Sequence, residues 1–127
     1  MQLFLTIGKY FLIFTLLASS VAHIFYGQIS DGFIPDFLPK QAVHIAAAIV
    51  ETATAIAMLL PRYSRYGNGA CLILMLAFLP LHTVDLFADA PVVGSTMAAA
   101  IRLGVQFLFV FWAYQLAMQS TKKIIES

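Results

Sequence analysis

Charge is what this chain has least of. Only 10% of its 127 residues are Asp, Glu, Lys or Arg, against 61% apolar residues and a mean hydropathy of +0.90. A soluble domain of ordinary composition has about 45–50% apolar and about 25% charged residues, so a water-exposed globule is excluded and a membrane protein is expected. Cysteine is nearly absent as well. Cys71 stands alone, which rules out an intramolecular disulfide and a dithiol relay within one chain; a small buried side chain is its expected role. The sequence has no repeat and no low-complexity tract, and a net charge of +1 gives no electrostatic footprint for nucleic acid.

What the chain does have is long apolar runs. Residues 10–26, 42–60, 69–87 and 96–118 are each long enough to cross a hydrocarbon core of about 30 Å. Four spans with short connections have only one another to pack on, so residues 1–127 are expected to form a single domain, an all-α, antiparallel four-helix transmembrane bundle. Ser20-Val21-Ala22 has the look of a signal-peptide cleavage site, yet no basic residue precedes the apolar run and Lys9 sits where a snorkelling anchor belongs. The first run is therefore read as an uncleaved span.

The few charges are segregated. Lys9, Arg62, Arg65, Lys122 and Lys123 fall at the N-terminus, the second connection and the C-terminus, whereas the other two connections carry Asp31, Asp36 and Asp89 with only Lys40. The positive-inside rule then places both termini in the cytoplasm. The connection from Gly27 to Gln41 is the longest, and its apolar residues between Pro35 and Pro39 suit a shelf at the interface. Pro80 removes a backbone donor inside span three and is expected to bend it below His82.

Polar residues inside hydrocarbon are costly and mark sites by default. Counting about 1.5 Å per residue from the span ends puts His23 and His44 near the rim, His82 and Arg102 roughly 8–9 Å deep, and Glu51 and Gln106 roughly 14 Å deep. His44 and Glu51 share one face of span two, whose neighbours at three and four residues from Glu51 are Ala47, Ala48, Thr54 and Ala55. Such a small-residue stripe belongs to a helix-packed interface. Arg102 has Ala98 and Ala99 on one side and Gln106 a turn deeper, and His82 shares a face with Asp85.

Two readings follow. A carboxylate at the midplane needs a compensating partner, and Arg102 is the cation expected within reach, so a Glu51–Arg102 ion pair that only fixes helix register is one. The other is a polar pocket open to the outer face, floored by Glu51 and walled by His23, His44, His82, Asp85, Arg102 and Gln106, that holds the head group of a quinone or lipid. His23, His44, His82 and Asp85 are also metal-ligand types, but no pair stands at the spacing of a metal motif, so a metal cofactor is not expected.

The residues from His23 to Leu86 resemble the DoxX-like family of small four-span membrane proteins. The resemblance rests on His23 before an aromatic-rich stretch, Ile34-Pro35-Asp36-Phe37-Leu38-Pro39, Glu51, Leu59-Leu60-Pro61-Arg62 with Arg65 following, and Phe78-Leu79-Pro80. Relatives typically flank the glutamate with glycines where this chain has Ala48 and Ala55, and many carry asparagine where His82 stands. The resemblance implies a bacterial-type inner-membrane protein, either a redox-linked subunit that handles a quinone or an assembly factor. Expected partners are membrane lipid and a protein subunit, and the small-residue faces are compatible with a homo-oligomer.

Overall fold

A computed structural model describes residues 1–126. It is all-helical, with α1 over Gln2–Phe25, a short 3₁₀ segment over Gly27–Phe33, α2 over Lys40–Leu59, α3 over Ser64–Leu86 and α4 over Thr96–Glu126. The four α-helices are all long and apolar enough to cross a membrane, which makes this a multi-pass membrane protein. They pack in a ring: α1 on α2, α2 on α3, α3 on α4, and α4 back on α1.

Helix ends differ from the hydropathy boundaries for identifiable reasons. α1 begins at Gln2 rather than Tyr10 because Leu3-Phe4-Leu5 is already apolar, and Lys9 is accommodated by reaching Ser64 at the start of α3, 3.5 Å away. α4 runs past Met118 to Glu126, its last turns held by Thr121 donating to the Ala117 carbonyl and by a Lys122–Glu126 pair one turn apart. At 31 residues α4 is about 46 Å long, well beyond a hydrocarbon core. Ser95 caps its start by accepting the Ala98 amide. Helix α3 passes through Pro80 without ending.

The interior is divided by depth. Leu5, Leu12, Ile13 and Leu16 of α1 recur at helical spacing and meet Ala55 and Met58 of α2, Cys71 and Met75 of α3, and Phe109, Trp112, Ala113 and Leu116 of α4 in one apolar cluster. That half is dry; Cys71 is fully buried in it. The other half, toward the 3₁₀ segment, buries Ser20, His44, Glu51, His82, Asp85 and Gln106. Outward faces are as apolar as the core, with Phe4, Ile7, Phe11, Phe14, Ile49, Ile73 and Phe107 all exposed. This is the pattern of a lipid-facing surface, where packing and small residues bring helices together in place of the hydrophobic effect.

Helices α2 and α3 approach closely at Gly67. A Cβ on Gly67 would lie 2.4 Å from the Met58 amide nitrogen and 2.7 Å from the Ala57 carbonyl carbon, both backbone atoms that cannot swing aside. Gly104 of α4 would meet nothing within 4 Å. Gly67→Ala is therefore expected to destabilise the fold by about 1–3 kcal/mol, while Gly104→Ala is neutral or stabilising by up to about 1 kcal/mol through helix propensity. Thermal unfolding of both variants in one detergent checks this, and equal midpoints would contradict the close approach.

Candidate functional site

The polar half resolves into two clusters on different helix pairs. The first joins α1, α2 and the 3₁₀ segment around Glu51. Glu51 is only 1% exposed, because the Ala48 and Ala55 stripe on which it lies faces the other helices. Its Oε1 accepts a hydrogen bond from the Ser19 hydroxyl at 3.0 Å and lies 3.9 Å from His23 Nε2; its Oε2 has no hydrogen-bond partner among the described residues. His23 and His44 face each other through their Nδ1 atoms at 2.8 Å, and His44 Nε2 stands 2.6 Å from Oδ1 of Asp31. Thr52 donates to Ser20, which itself donates to the Leu16 and Ala48 carbonyls, tying α1 to α2 beside the acid.

Local structure holds these groups in place. Lys40, the first residue of α2, points its Nζ at the carbonyls of Asp31 and Ile34 and at Asp36, which folds the first connection back over the helix start. Gly27 opens that connection, and any Cβ there would lie 2.8 Å from the His44 ring. Only glycine lets the 3₁₀ segment close on His44 and bring Asp31 to it. An open cleft of about 470 Å³ lies at this junction, lined by His23, Ile24, Phe25, Gly27, Gln28, Asp31, Lys40, Gln41, His44 and Ile45.

The second cluster lies between α3 and α4. Arg102 Nε donates toward the His82 ring at 3.3 Å. Asp85 accepts the Val92 amide at 2.6 Å and the Val93 amide at 3.4 Å, closing the loop into α4. Gln106 is buried and donates to the Met75 carbonyl at 2.7 Å. Phe33, at the end of the 3₁₀ segment, meets the His82 ring edge-on at 5.9 Å and so connects the two clusters across the mouth of the bundle.

Two expectations need correcting. The Glu51–Arg102 ion pair does not form: among the described residues, the basic side chain within ion-pair distance of Glu51 is His23, and Arg102 is not. Arg102 is exposed and turned to α3, because it lies on the flank of α4 between the inward-facing Ala99 and Gln106. The seven candidates also do not line one chamber. His23 and His44 line the cleft, Glu51 lies behind them in the protein interior, and His82, Asp85, Arg102 and Gln106 belong to the other helix pair. Reading spans singly missed Ser19, Ser20, Asp31 and Thr52. The serines were detectable, since hydroxyls one turn before His23 in an apolar span are themselves a signal; Asp31 is brought in by the fold of the connection alone. Among the described residues, no three His, Cys, Asp or Glu side chains converge to hold a metal ion.

Fold and site together define a small multi-pass helical membrane protein with a partly buried acid–histidine cluster at one end. The chain belongs to the family described as Domain of unknown function (DUF8561), whose profile matches residues 12–117. No curated protein and no solved structure matches it.

If Glu51 and Arg102 act apart, their substitutions act independently. The destabilisations of Glu51→Gln and Arg102→Gln should add to within about 0.5 kcal/mol, whereas His82→Gln and Arg102→Gln should show a coupling of at least about 0.5 kcal/mol. Double-mutant cycles of equilibrium unfolding in mixed micelles measure both, and coupling confined to the Glu51 cycle would restore the ion pair.

Proposed function

We propose that this chain is a DoxX-like protein of a bacterial-type inner membrane, a non-autonomous, redox-linked subunit that binds the head group of a quinone or lipid-like molecule. Its four helices cross the membrane as an antiparallel bundle with both termini cytoplasmic. The segregation of Lys9, Arg62, Arg65, Lys122 and Lys123 from Asp31, Asp36 and Asp89 supports that orientation. The cleft at the α1–α2 junction would then face the outer side.

The observation that carries the ligand reading is the mixed character of that cleft. His23, His44, Asp31 and Lys40 supply hydrogen-bonding groups in its wall, while Ile24 and Phe25, 53% and 69% exposed, and Ile45 continue it onto the lipid-facing surface. A head group with carbonyl or hydroxyl oxygens would bond to the polar wall and leave its tail along the apolar one. His23 and His44 are the binding residues this reading selects. Glu51 would act from behind them, and His82, Asp85, Arg102 and Gln106 would shape the bundle.

A second reading, a structural or chaperone-like assembly protein, is favoured by the α3–α4 cluster. Asp85 and Gln106 spend their polar atoms on backbone groups of this same chain, which is what helix-fixing side chains do.

Native mass spectrometry of protein released from mildly solubilised membranes separates the two. The binding reading expects a quinone- or lipid-mass adduct whose occupancy falls about tenfold in His44→Gln, because a head group bonded to a His44 nitrogen would take the place of Asp31 or His23 there and lose that bond in the variant. A bare chain, a ligand-free partner complex, or an adduct indifferent to His44 would support the assembly role instead.

A further inference from the structure

Asp31, His44, His23 and Glu51 form a linear series of proton-carrying atoms running from the rim of the cleft into the interior. The Asp31 side chain is partly exposed and that of Glu51 is not. The contacts along the series are 2.6 Å from Asp31 Oδ1 to His44 Nε2, 2.8 Å from His44 Nδ1 to His23 Nδ1, and 3.9 Å from His23 Nε2 to Glu51 Oε1. Each imidazole thus presents one nitrogen toward the rim and the other toward the acid. This is the arrangement a ring needs to take up a proton on one side and release one on the other.

We infer that Asp31, His44 and His23 are a proton relay serving Glu51, so that a buried carboxyl exchanges protons with the aqueous rim through the protein. The geometry fixes the proton count. Two Nδ1 atoms at 2.8 Å share a single proton, since two N–H groups pointed at each other would repel. In the first state His44 carries both ring protons against the Asp31 carboxylate, His23 is protonated on Nε2, and Glu51 is ionised. The Nδ1 proton of His44 then crosses to Nδ1 of His23 as the Nε2 proton of His23 crosses to Oε1 of Glu51. In the second state His44 keeps its Nε2 proton, His23 is protonated on Nδ1, and Glu51 is a neutral acid. Three protons are present before and after, and one positive charge has left His44 for the interior.

Other groups around the acid do not short-circuit this path. On α1, Ser19 donates to Glu51 Oε1 and accompanies either state. From α3 the titratable groups in the polar half are His82, engaged by Arg102 of α4, and Asp85, engaged by the Val92 and Val93 amides, while Cys71 lies in the apolar cluster; neither His82 nor Arg102 lies within ion-pair distance of Glu51. The 3.9 Å step is the gate, because bringing it to hydrogen-bond length takes about 1 Å of carboxyl movement. Oε2, without a partner among the described residues, leaves the acid one face on which to receive or deliver the proton. A head group bonded to either imidazole would displace one of these contacts, so the relay belongs to the cleft without a head group.

Glu51 and Glu126 are the only glutamates in the chain, so labelling glutamate carboxyls with carbon-13 marks one buried and one exposed group for infrared spectroscopy. After a rapid pH step on the protein in lipid, the buried glutamate band is expected to interconvert between acid and carboxylate. The rate should fall at least about tenfold in His23→Gln, which fills the space but passes no proton, and likewise in Asp31→Asn at the rim. Thr54→Val, a buried change on α2 that breaks only a bond to its own helix, should leave the rate unaltered. The relay is overturned by a buried band that ignores the pH step, by equal rates in wild type and both relay variants, or by equal slowing in Thr54→Val. Should His23→Gln fail to fold, Asp31→Asn carries the test by itself.

Discussion

An acid held inside a membrane protein without a cation is the constraint around which the polar half of this molecule is arranged. Hydrocarbon offers Glu51 no water, and among the described residues no arginine or lysine lies within ion-pair distance of it. Hydrogen-bond partners must come from neighbouring helices, and they do: a serine and a histidine from α1, then a second histidine and an aspartate behind them. This requirement accounts for the close union of α1 with α2, for the hydroxyls that sew them together, and for the fold of the first connection. With Asp31 elsewhere, His44 would be a buried ring bonded only to another ring. Among the described residues the other half buries no charge, and its chief polar contact is Asn68 donating to Ser120 of α4.

The sequence made the face of Glu51 legible because a helix repeats by rule: small residues at three and four positions fix one side of α2 regardless of what lies opposite. The same rule misled at Arg102, where Ala98 and Ala99 made its side of α4 look inward although only Ala99 and Gln106 are buried. A long side chain on the flank of a helix can reach sideways to a neighbour, and His82 was nearer than Glu51. Depth counting ranked the polar groups along the bundle axis but contained nothing about which helix pair each would join. Two clusters at comparable depth were therefore read as one pocket. Asp31 lay outside any periodic segment, and its place depends on Gly27, Lys40 and the 3₁₀ turn acting together.

The two readings of the molecule divide along the same line as its clusters. Asp85 accepts the amides of the loop into α4 and Gln106 donates to the Met75 carbonyl of α3, so their polar atoms serve to hold shape. His44 and His23 bond to other titratable side chains, and a group bonded to a titratable partner keeps a choice of protonation state. Function that involves a proton or a polar ligand therefore belongs on the α1–α2 side, with α3 and α4 as the frame.

The 3₁₀ segment ties the frame to the site. Asp31 in its middle touches His44, and Phe33 at its end lies edge-on against His82, so a rigid displacement of seven residues would disturb both clusters at once. Its anchorage is polar and local, chiefly the Lys40 ammonium on two carbonyls and the Asp36 carboxylate, with no buried residue of its own. Elements held this way open at lower cost than the helices beneath them. Movement of this shelf would separate Asp31 from His44 and remove the rim end of the proton series before any transmembrane helix had to shift. In the proposed relay the supply of protons at the rim would then depend on a segment outside the apolar core, and their delivery on the His23–Glu51 step.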